Sequence, residues 1–290
     1  MAPQPFDDRD GTIWFDGKMV DWRDANVHVL THALHYASSV FEGQRAYNGK
    51  IFKLRAHTER LFASAKYLDF EIPYTPQEID DAAYAVMKAN SLVDCYLRPL
   101  AWRGPEQIGV AAKHCKTHVA IAAWPWPSYF SPEARMKGLR VEMAKWQRPA
   151  PFTAPTAAKA AGLYMICTLC KDQAEANGYD DAMMLDWRGQ VAELTGANIF
   201  FVKEGVIHTP TPDCFLDGIT RHTAIDMALE AGVEVIERAI MPDEMEGFEQ
   251  AFITGTAAEV TPLREIGPYN FEVGELVKDL MVKYDALVRA

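Results

Sequence analysis

Alternating hydrophobic and polar residues on either side of two tight turns predict that the chain begins with antiparallel strands. Residues 12–20 (TIWFDGKMV) and 41–54 (FEGQRAYNGKIFKL) each centre on an Asp-Gly or Asn-Gly pair, which is the strongest short-range signal for a β-hairpin. Strand-like runs return at 95–102 (CYLRPLAW) and 117–124 (THVAIAAW). The first part of the chain is therefore predicted to form a mainly antiparallel sheet.

Two helices are predicted between these strands. The first spans about His57 to Tyr67, and the second is announced by Thr75, Pro76 and Glu78, a capping box with proline at the first helical position. Apolar residues then recur at helical spacing and mark the buried face of the second helix: Ile79, Ala82, Ala83, Val86 and Met87. Helices on an antiparallel sheet make this an α+β domain.

Residues 125–138 contain three prolines and interrupt the helical and strand periodicities of the flanking sequence, which predicts an interdomain linker. The domains are then expected at 1–124 and 139–290, the second being an α/β domain that carries Lys159. Its predicted elements, in order, are a strand at 139–146, a helix at 160–176 opened by Lys159 and closed by Asn177-Gly178, a hairpin-rich region through Val206, a helix from about Thr220 closed by Gly232, a strand at 251–255 and a helix near 274–288.

Composition limits the classes of partner. At 290 residues, with 49% hydrophobic and 24% charged residues, the chain is expected to form two globular domains. A net charge of −11 argues against a nucleic-acid or anionic-membrane surface. No apolar run approaches the roughly 18 residues of a membrane span, and the N-terminus is acidic, unlike a signal peptide. A cytoplasmic protein is expected.

Five cysteines are scattered through the chain, an odd number that argues against a disulfide framework and makes a reduced state the expectation. Cys167 and Cys170 form a CxxC, but both fall in a predicted helix and no second pair completes a zinc site. Packed helical thiols are the favoured interpretation, with a redox role left open.

Three features between Pro155 and Arg221 suit one cofactor. Lys159 lies among small and apolar residues, where partial burial would lower its pKa toward the nucleophilic neutral form. Glu193 follows a tight turn, and residues 218–221 (GITR) open a helix whose N-terminus can seat a phosphate. A Schiff-base amine, a carboxylate for a pyridine nitrogen and a phosphate seat together indicate pyridoxal phosphate.

Eight motifs in unbroken order carry a family resemblance: HALHYASSVFEGQRAY, HTERL, YLRPL, AAWPW, PTAAKAAGLY, AELTGAN, LDGITR and ITGTAAEVTP. Together they resemble the fold-type IV pyridoxal-phosphate enzymes, and most closely the branched-chain amino acid aminotransferases. The resemblance implies a two-domain fold-type IV architecture. It also implies transamination between leucine, isoleucine or valine and 2-oxoglutarate.

The resemblance assigns the cofactor site residue by residue. Lys159 corresponds to the Schiff-base lysine, Glu193 to the carboxylate at the pyridine nitrogen, and Tyr164 to a hydrogen-bond donor to the phenolate oxygen. The phosphate is assigned to Arg60, to the backbone amides of Ile219 and Thr220, and to the hydroxyl of Thr256.

The substrate site is assigned in the same way. The residues matching the apolar side-chain pocket are Phe41, Tyr36, Val110, Trp126 and Tyr129. Because glutamate must enter the same pocket, a cation is needed for its distal carboxylate, and Arg98 matches it. The α-carboxylate is assigned to Tyr96 with the backbone of Ala257 and Ala258. Tyr36 and Val110 are expected from a partner subunit, so the resemblance implies at least a homodimer.

Alternatives remain at this stage. A D-amino acid aminotransferase or an aminodeoxychorismate lyase would share Lys159, Glu193 and Arg60, although YLRPL with AAWPW favours the branched-chain enzyme. A cofactor-binding protein without turnover is disfavoured because every expected catalytic group is present.

A histidine-ligated metal hydrolase is the alternative from a different class. It would use His28, His32 and His35 (HVLTHALH), but the glutamate of an HExxH motif is missing. This segment is expected to be irregular or short and extended, and no metal is expected.

Overall fold

The computed structural model describes residues 4–126 and 132–290. Contacts divide the chain into two units: Met1–Pro127 with Ala158–Gly162, and Ser128–Ala157 with Leu163–Ala290. The first division lies inside the predicted linker at 125–138, part of which is outside the described residues. Lys159 belongs to the first unit, although the sequence placed it in a C-terminal domain. The predicted bounds 1–124 and 139–290 otherwise stay a prediction.

Seven strands pair antiparallel in the sheet of the first unit. They are β1 (Thr12–Phe15), β2 (Lys18–Asp21), β3 (Ser39–Phe41), β4 (Gln44–Tyr47), β5 (Lys50–Ile51), β6 (Cys95–Arg103) and β7 (Thr117–Pro125), in the order β2-β1-β7-β6-β4-β5 with β3 beside β6. Both predicted hairpins are confirmed. Asp16-Gly17 joins β1 to β2 and Asn48-Gly49 joins β4 to β5, with positive φ at all four residues, as a type I′ turn requires.

The helices of the first unit are α1 (His32–Tyr36), α2 (Leu54–Tyr67) and α3 (Pro76–Ala89). The predicted capping box is present: the Thr75 amide donates to the Glu78 carboxylate (2.7 Å), and the Glu78 amide donates to Thr75 Oγ1 (3.3 Å). Helix α2 begins three residues before His57, because Lys53 ends the preceding turn in the left-handed conformation. The predicted irregular structure around His32 is wrong, since α1 forms there and ends at the left-handed Ala37.

Nine strands form the mixed sheet of the second unit. They are β8 (Leu139–Met143), β9 (Asp181–Leu185), β10 (Val191–Leu194), β11 (Asn198–Lys203), β12 (Val206–Thr209), β13 (Val235–Glu237), β14 (Gln250–Gly255), β15 (Glu259–Ile266) and β16 (Tyr269–Asn270). The order is β10-β9-β8-β15-β14-β11-β12-β13, with β16 beside β15. Because β10 also pairs with β11, six of these strands close into a barrel. Alternate side chains, such as Leu139, Val141, Phe201 and Ile253, pack into one core cluster.

The helices of the second unit are α4 (Pro132–Lys137), α5 (Met165–Ala176), α6 (Ile219–Glu230) and α7 (Glu275–Arg289). The predicted helices near 220 and 274–288 are confirmed, and α4 lies within the predicted linker. Lys159 does not open α5: Ala161–Leu163 forms a separate 3₁₀ turn and α5 starts at Met165. Among the helices of residues 4–126 and 132–290, none has an apolar stretch that could cross a membrane.

All five cysteines are free thiols. Cys167 and Cys170 lie buried on α5 and pack against Ala182 and Met184 of β9. Burial raises the pKa of Cys167 to about 11, although the nearby Arg148 opposes the rise. A thiol that stays protonated near neutral pH is a poor nucleophile, which supports the packing interpretation of the CxxC pair.

Candidate active site

Lys159 lies in an irregular segment, directly after a turn, and its backbone is fixed within the first unit. Its amide donates to Ser64 Oγ on α2 (3.0 Å), and its carbonyl accepts the Phe41 amide at the end of β3 (3.1 Å). The next residue, Ala160, forms an antiparallel bridge with Val40. These tertiary hydrogen bonds explain why the small, helix-favouring residues around Lys159 do not form a helix here. They restrict the amine to motion about its side-chain bonds.

Lys159 is half-buried, and its amine lies 5.0 Å from the centre of the Phe41 ring. Burial lowers its pKa from 10.5 to about 8, and the positive charges of Arg60 and Arg98 add to this, while Glu42 and Tyr96 oppose it. The sequence predicted a lowered pKa from the apolar neighbours. The structure adds the two guanidinium groups, which come from distant segments. An amine with this pKa is partly neutral near pH 7, as a nucleophile or proton carrier requires.

Arg60 lies on α2 beside a buried carboxylate. Its Nε and Nη2 donate to the two oxygens of Glu42 (2.7 and 2.9 Å), and His57, one turn earlier, contacts Glu42 through Nδ1 (2.7 Å). Glu42 is fully buried and Arg60 is 16% exposed. We refer to Glu42, Arg60 and His57 as the Glu42 cluster. This cluster contains the arginine to which the family resemblance assigned the phosphate.

Four of the predicted substrate residues lie together on the first unit. The guanidinium carbon of Arg98 is 4.8 Å from the Phe41 ring centre and 5.5 Å from that of Tyr96, whose ring lies 5.3 Å from that of Trp126. A Cβ atom on Gly43 would come within 1.9 Å of the Tyr96 hydroxyl, so only glycine allows this tyrosine its position. Tyr129, which the resemblance also assigned to the apolar pocket, lies outside the described residues.

Arg98 also borders an apolar cavity of about 380 Å³ in the first unit. Its walls include Phe15, Val27, Leu34 and Trp102, and Arg98 alone is charged among the described residues that line it. The Arg98 Nε is buried and has no hydrogen-bond partner in the described part of the chain. A buried donor without a partner costs free energy unless a ligand satisfies it, so this guanidinium suits an anion.

Tyr36 and Val110 are 44% and 84% exposed. His32 links the two segments that carry them: its Nε2 donates to the Gly109 carbonyl (2.9 Å), and its Nδ1 pairs with Ser38 Oγ (2.7 Å). Both ring nitrogens of this buried histidine are therefore used in hydrogen bonds, which does not support the metal-hydrolase alternative. His32 instead fixes one exposed apolar edge.

Glu193, on β10 of the second unit, is held by two neighbours. Its Oε1 lies 3.4 Å from Arg148 Nε, and its Oε2 accepts from Asn198 Nδ2 (3.2 Å). Arg148 is 4% exposed. Burial alone would lower the Arg148 pKa, but Glu193 and other neighbours raise it, so the guanidinium stays charged. The sequence did not identify Arg148, because its partner lies far along the chain.

The N-terminus of α6 has no side-chain cap. Gly218 precedes it, and a Cβ there would lie 2.2 Å from Asn198 Oδ1, so glycine lets the Asn198 side chain lie against the helix start. The amides of Ile219 and Thr220 open this 12-residue helix, whose dipole favours an anion.

The remaining predicted residues of the second unit lie on turns. Tyr164 directly precedes α5 and packs against the buried group formed by Cys167, Cys170, Ala174, Ala182 and Met184. Thr256, Ala257 and Ala258 form the turn between β14 and β15. The Ala258 carbonyl accepts from Thr261 Oγ1 (2.6 Å), which fixes this turn.

The first unit thus contains a lysine amine with a lowered pKa and a paired arginine, and the second contains a buried carboxylate and an uncapped helix. The profile described as "Amino-transferase class IV" matches residues 39–266. The chain belongs to this family. The fold-type IV resemblance inferred from the eight motifs is thereby confirmed.

Individual relatives are also similar over most of their length. The branched-chain-amino-acid aminotransferase of Pseudomonas aeruginosa is 47% identical over 263 residues, which cover 89% of this chain and 86% of the relative. The crystal structure of a branched-chain amino acid aminotransferase from Escherichia coli superimposes with a TM-score of 0.93 at 38% identity, covering 97% of this chain and 95% of that one. The branched-chain amino acid aminotransferase of Thermobaculum terrenum, solved in its PLP form, gives a TM-score of 0.87 at 30% identity, covering 97% and 95%.

Proposed function

We propose that this chain is a branched-chain-amino-acid aminotransferase, which exchanges the amino group of leucine, isoleucine or valine with 2-oxoglutarate. The observation that carries the proposal is Lys159, whose backbone is fixed at Ser64 and Phe41 and whose amine has a pKa of about 8. The relatives named above carry this activity in their names, and they cover nearly the whole chain.

Each unit, taken by itself, contains residues suited to hold part of pyridoxal 5'-phosphate. The uncapped start of α6 after Gly218 provides backbone amides for a phosphate, and Arg60 provides a guanidinium that is only slightly exposed. Thr256 would add its hydroxyl to the phosphate. Glu193 would hold the proton on the pyridine nitrogen, Tyr164 would donate to the phenolate oxygen, and Lys159 would bind the aldehyde carbon.

When bound, the cofactor supplies an aldehyde that takes up amino groups and a ring that accepts electrons from the substrate α-carbon. Lys159 Nζ would have the proton-transfer role, taking the substrate α-proton and later returning one. A pKa of about 8 suits both directions, because general acid and base catalysis is most effective when the pKa is near the working pH. Arg148 and Asn198 keep the Glu193 carboxylate in one orientation.

Arg98 would allow one site to accept two kinds of side chain. The apolar residues Phe41 and Trp126 suit a branched aliphatic group, and the Arg98 Nε without a partner in the described part of the chain suits the distal carboxylate of glutamate. Tyr96 with the backbone of Ala257 and Ala258 would bind the α-carboxylate that both substrates share.

We also propose that two copies of the chain share their sites. Tyr36 and Val110 are apolar, exposed and linked through His32, so their segments can present one edge to a second copy. The predicted cytoplasmic location stays a prediction.

The visible absorbance of the protein reconstituted with pyridoxal 5'-phosphate tests the function directly. The cofactor band should fall on adding L-leucine and return on adding 2-oxoglutarate, since each addition drives one half-reaction. D-alanine serves as the comparison donor. A band that responds to D-alanine and not to L-leucine would contradict the proposal and favour the D-amino acid enzyme.

A further inference from the structure

The Glu42 carboxylate, which has no role in the function proposed above, is the centre of the Glu42 cluster. Its Oε1 accepts Arg60 Nε (2.7 Å), and its Oε2 accepts Arg60 Nη2 (2.9 Å), His57 Nδ1 (2.7 Å) and the Gly43 amide (3.3 Å). Glu42 is fully buried and His57 is 2% exposed. A buried carboxylate with four donors on its two oxygens has its position closely determined.

The charge state of the cluster follows from its surroundings. Burial would raise the Glu42 pKa, but the Arg60 charge and the His57 hydrogen bond more than offset this, so the carboxyl stays ionised. Burial lowers the His57 pKa more than Glu42 raises it, so the imidazole is neutral and donates from Nδ1. One cation and one anion therefore face each other, and the histidine adds a donor without adding a charge.

The bidentate geometry matters for what Arg60 can do next. A planar guanidinium paired through two parallel hydrogen bonds cannot rotate without losing both. The entropy of fixing this long side chain is then lost on folding rather than on ligand binding, which favours the binding of a ligand. Arg60 is 16% exposed, whereas the Glu42 side chain that pairs with it is fully buried.

We propose that Glu42 is a positioning residue, which holds the Arg60 guanidinium in the orientation that receives the cofactor phosphate, while His57 holds Glu42. The inference rests on the proposed function, because it requires Arg60 to bind that phosphate. Glu42 itself contacts neither cofactor nor substrate in this account.

Glu42→Gln tests the inference, because it keeps the shape of the side chain and removes the charge. The readout is the ratio of the dissociation constants of the apoprotein for pyridoxal and for pyridoxal 5'-phosphate, which isolates the phosphate. The ratio should fall about tenfold or more, the size expected when charge-assisted hydrogen bonds lose their geometry. A ratio within about twofold of the wild type would overturn the inference.

Asp80→Asn is the matched control. Asp80 is also a buried carboxylate paired with an α2 arginine: its Oδ2 lies 2.8 Å from Arg55, and its Oδ1 accepts Thr58 Oγ1 (2.5 Å). This variant should be less stable than the wild type, but its ratio of dissociation constants for pyridoxal and pyridoxal 5'-phosphate should be unchanged. If Asp80→Asn lowers the ratio as much as Glu42→Gln, the effect is general loosening of the unit and the inference is wrong.

An Arg60→Met background shows whether Glu42 acts through Arg60. In that background Glu42→Gln should change the ratio little, and an undiminished effect would contradict the inference. If Glu42→Gln does not fold, Glu42→Asp replaces it: the charge stays, but the shorter side chain cannot keep both hydrogen bonds, so the ratio should still fall.

Failure of this inference and failure of the proposed function are distinguishable. A wild type that shows no preference for pyridoxal 5'-phosphate over pyridoxal would contradict the function. A wild type that prefers the phosphorylated form and transaminates leucine, with an unchanged ratio in the Glu42 variants, would contradict only the role of Glu42.

Discussion

Replacing Arg98 by methionine should separate the two substrates of the reaction. Methionine fills a similar volume and can keep contact with the Phe41 and Tyr96 rings, which lie 4.8 and 5.5 Å from the guanidinium carbon. The apolar part of the pocket is therefore largely retained. The lost group is a half-buried cation whose Nε is buried and has no hydrogen-bond partner in the described part of the chain.

The size of the expected loss with 2-oxoglutarate follows from the missing partner of Arg98 Nε. A ligand carboxylate binding to Arg98 replaces no Nε hydrogen bond to the described residues, so its full contribution appears in binding. Hydrogen bonds to charged groups contribute about 1.5 to 3 kcal/mol, so kcat/KM for 2-oxoglutarate should fall about 10- to 150-fold more than kcat/KM for L-leucine. Measuring both half-reactions by the cofactor absorbance gives the two losses separately.

Arg103→Met provides the control on the same strand. Arg103 donates to the Leu68 and Asp69 carbonyls (3.1 and 2.5 Å) and has no assigned substrate contact. Its replacement should leave the ratio of the two kcat/KM values unchanged. Equal losses for leucine and 2-oxoglutarate in Arg98→Met would refute the role of Arg98 in binding the distal carboxylate.

Three further predictions concern Lys159 and Arg148. Lys159→Ala should fold, by circular dichroism, and lose turnover, since general acid-base catalysis alone is typically about 10²- to 10⁴-fold; substantial residual transamination would remove Lys159 from its role. In the apoprotein, the acylation rate of Lys159, followed by mass spectrometry, should reach half its maximum near pH 8 instead of pH 10.5. Because the folded chain releases this proton at a lower pH than the unfolded chain does, the free energy of unfolding relative to Lys159→Met should rise between pH 8 and 10.5. A difference that does not change with pH would contradict the lowered pKa. Arg148→Met should lower the free energy of unfolding in urea by about 3 to 5 kcal/mol, because it leaves the buried Glu193 without the Arg148 charge. Arg140→Met, which breaks a partly exposed pair with Glu265, should lower it by less than about 1 kcal/mol. Equal losses would contradict the view that burial makes the Arg148–Glu193 pair costly to break.

The elements that the sequence predicts correctly are those fixed by neighbouring residues. The Asn48-Gly49 turn and the Thr75 capping box depend on backbone conformations and hydrogen bonds between residues that are close in sequence. The segment around Lys159 shows the opposite case. Its small residues favour a helix, but hydrogen bonds to Phe41 and Ser64 hold it in an irregular conformation, and neither partner is adjacent in sequence.

The site residues likewise divide into those that a local sequence motif indicates and those whose partners lie far away in sequence. The roles of Lys159, Glu193 and Arg60 follow from motifs, and they stay predictions until tested. Arg148 was missed because a lone arginine before a proline gives no local sign of a carboxylate far along the chain. His57 and Arg60 did carry a signal, since residues three apart on a helix share one face, but the third member of the cluster comes from a separate strand end.

The electrostatics around Lys159 show why a buried carboxylate belongs beside a cluster of cations. Arg60 and Arg98 both lower the pKa of the amine, and Glu42 raises it. Without Glu42, two guanidinium groups would act on the amine unopposed by that charge and shift its pKa further below 8, away from the value that serves as both acid and base. Glu42 therefore has two effects with one charge: it fixes Arg60, and it limits how far the pKa of Lys159 falls. In Glu42→Gln, the pH at which Lys159 is half-acylated should consequently move to a lower value, whereas Asp80→Asn should leave it unchanged.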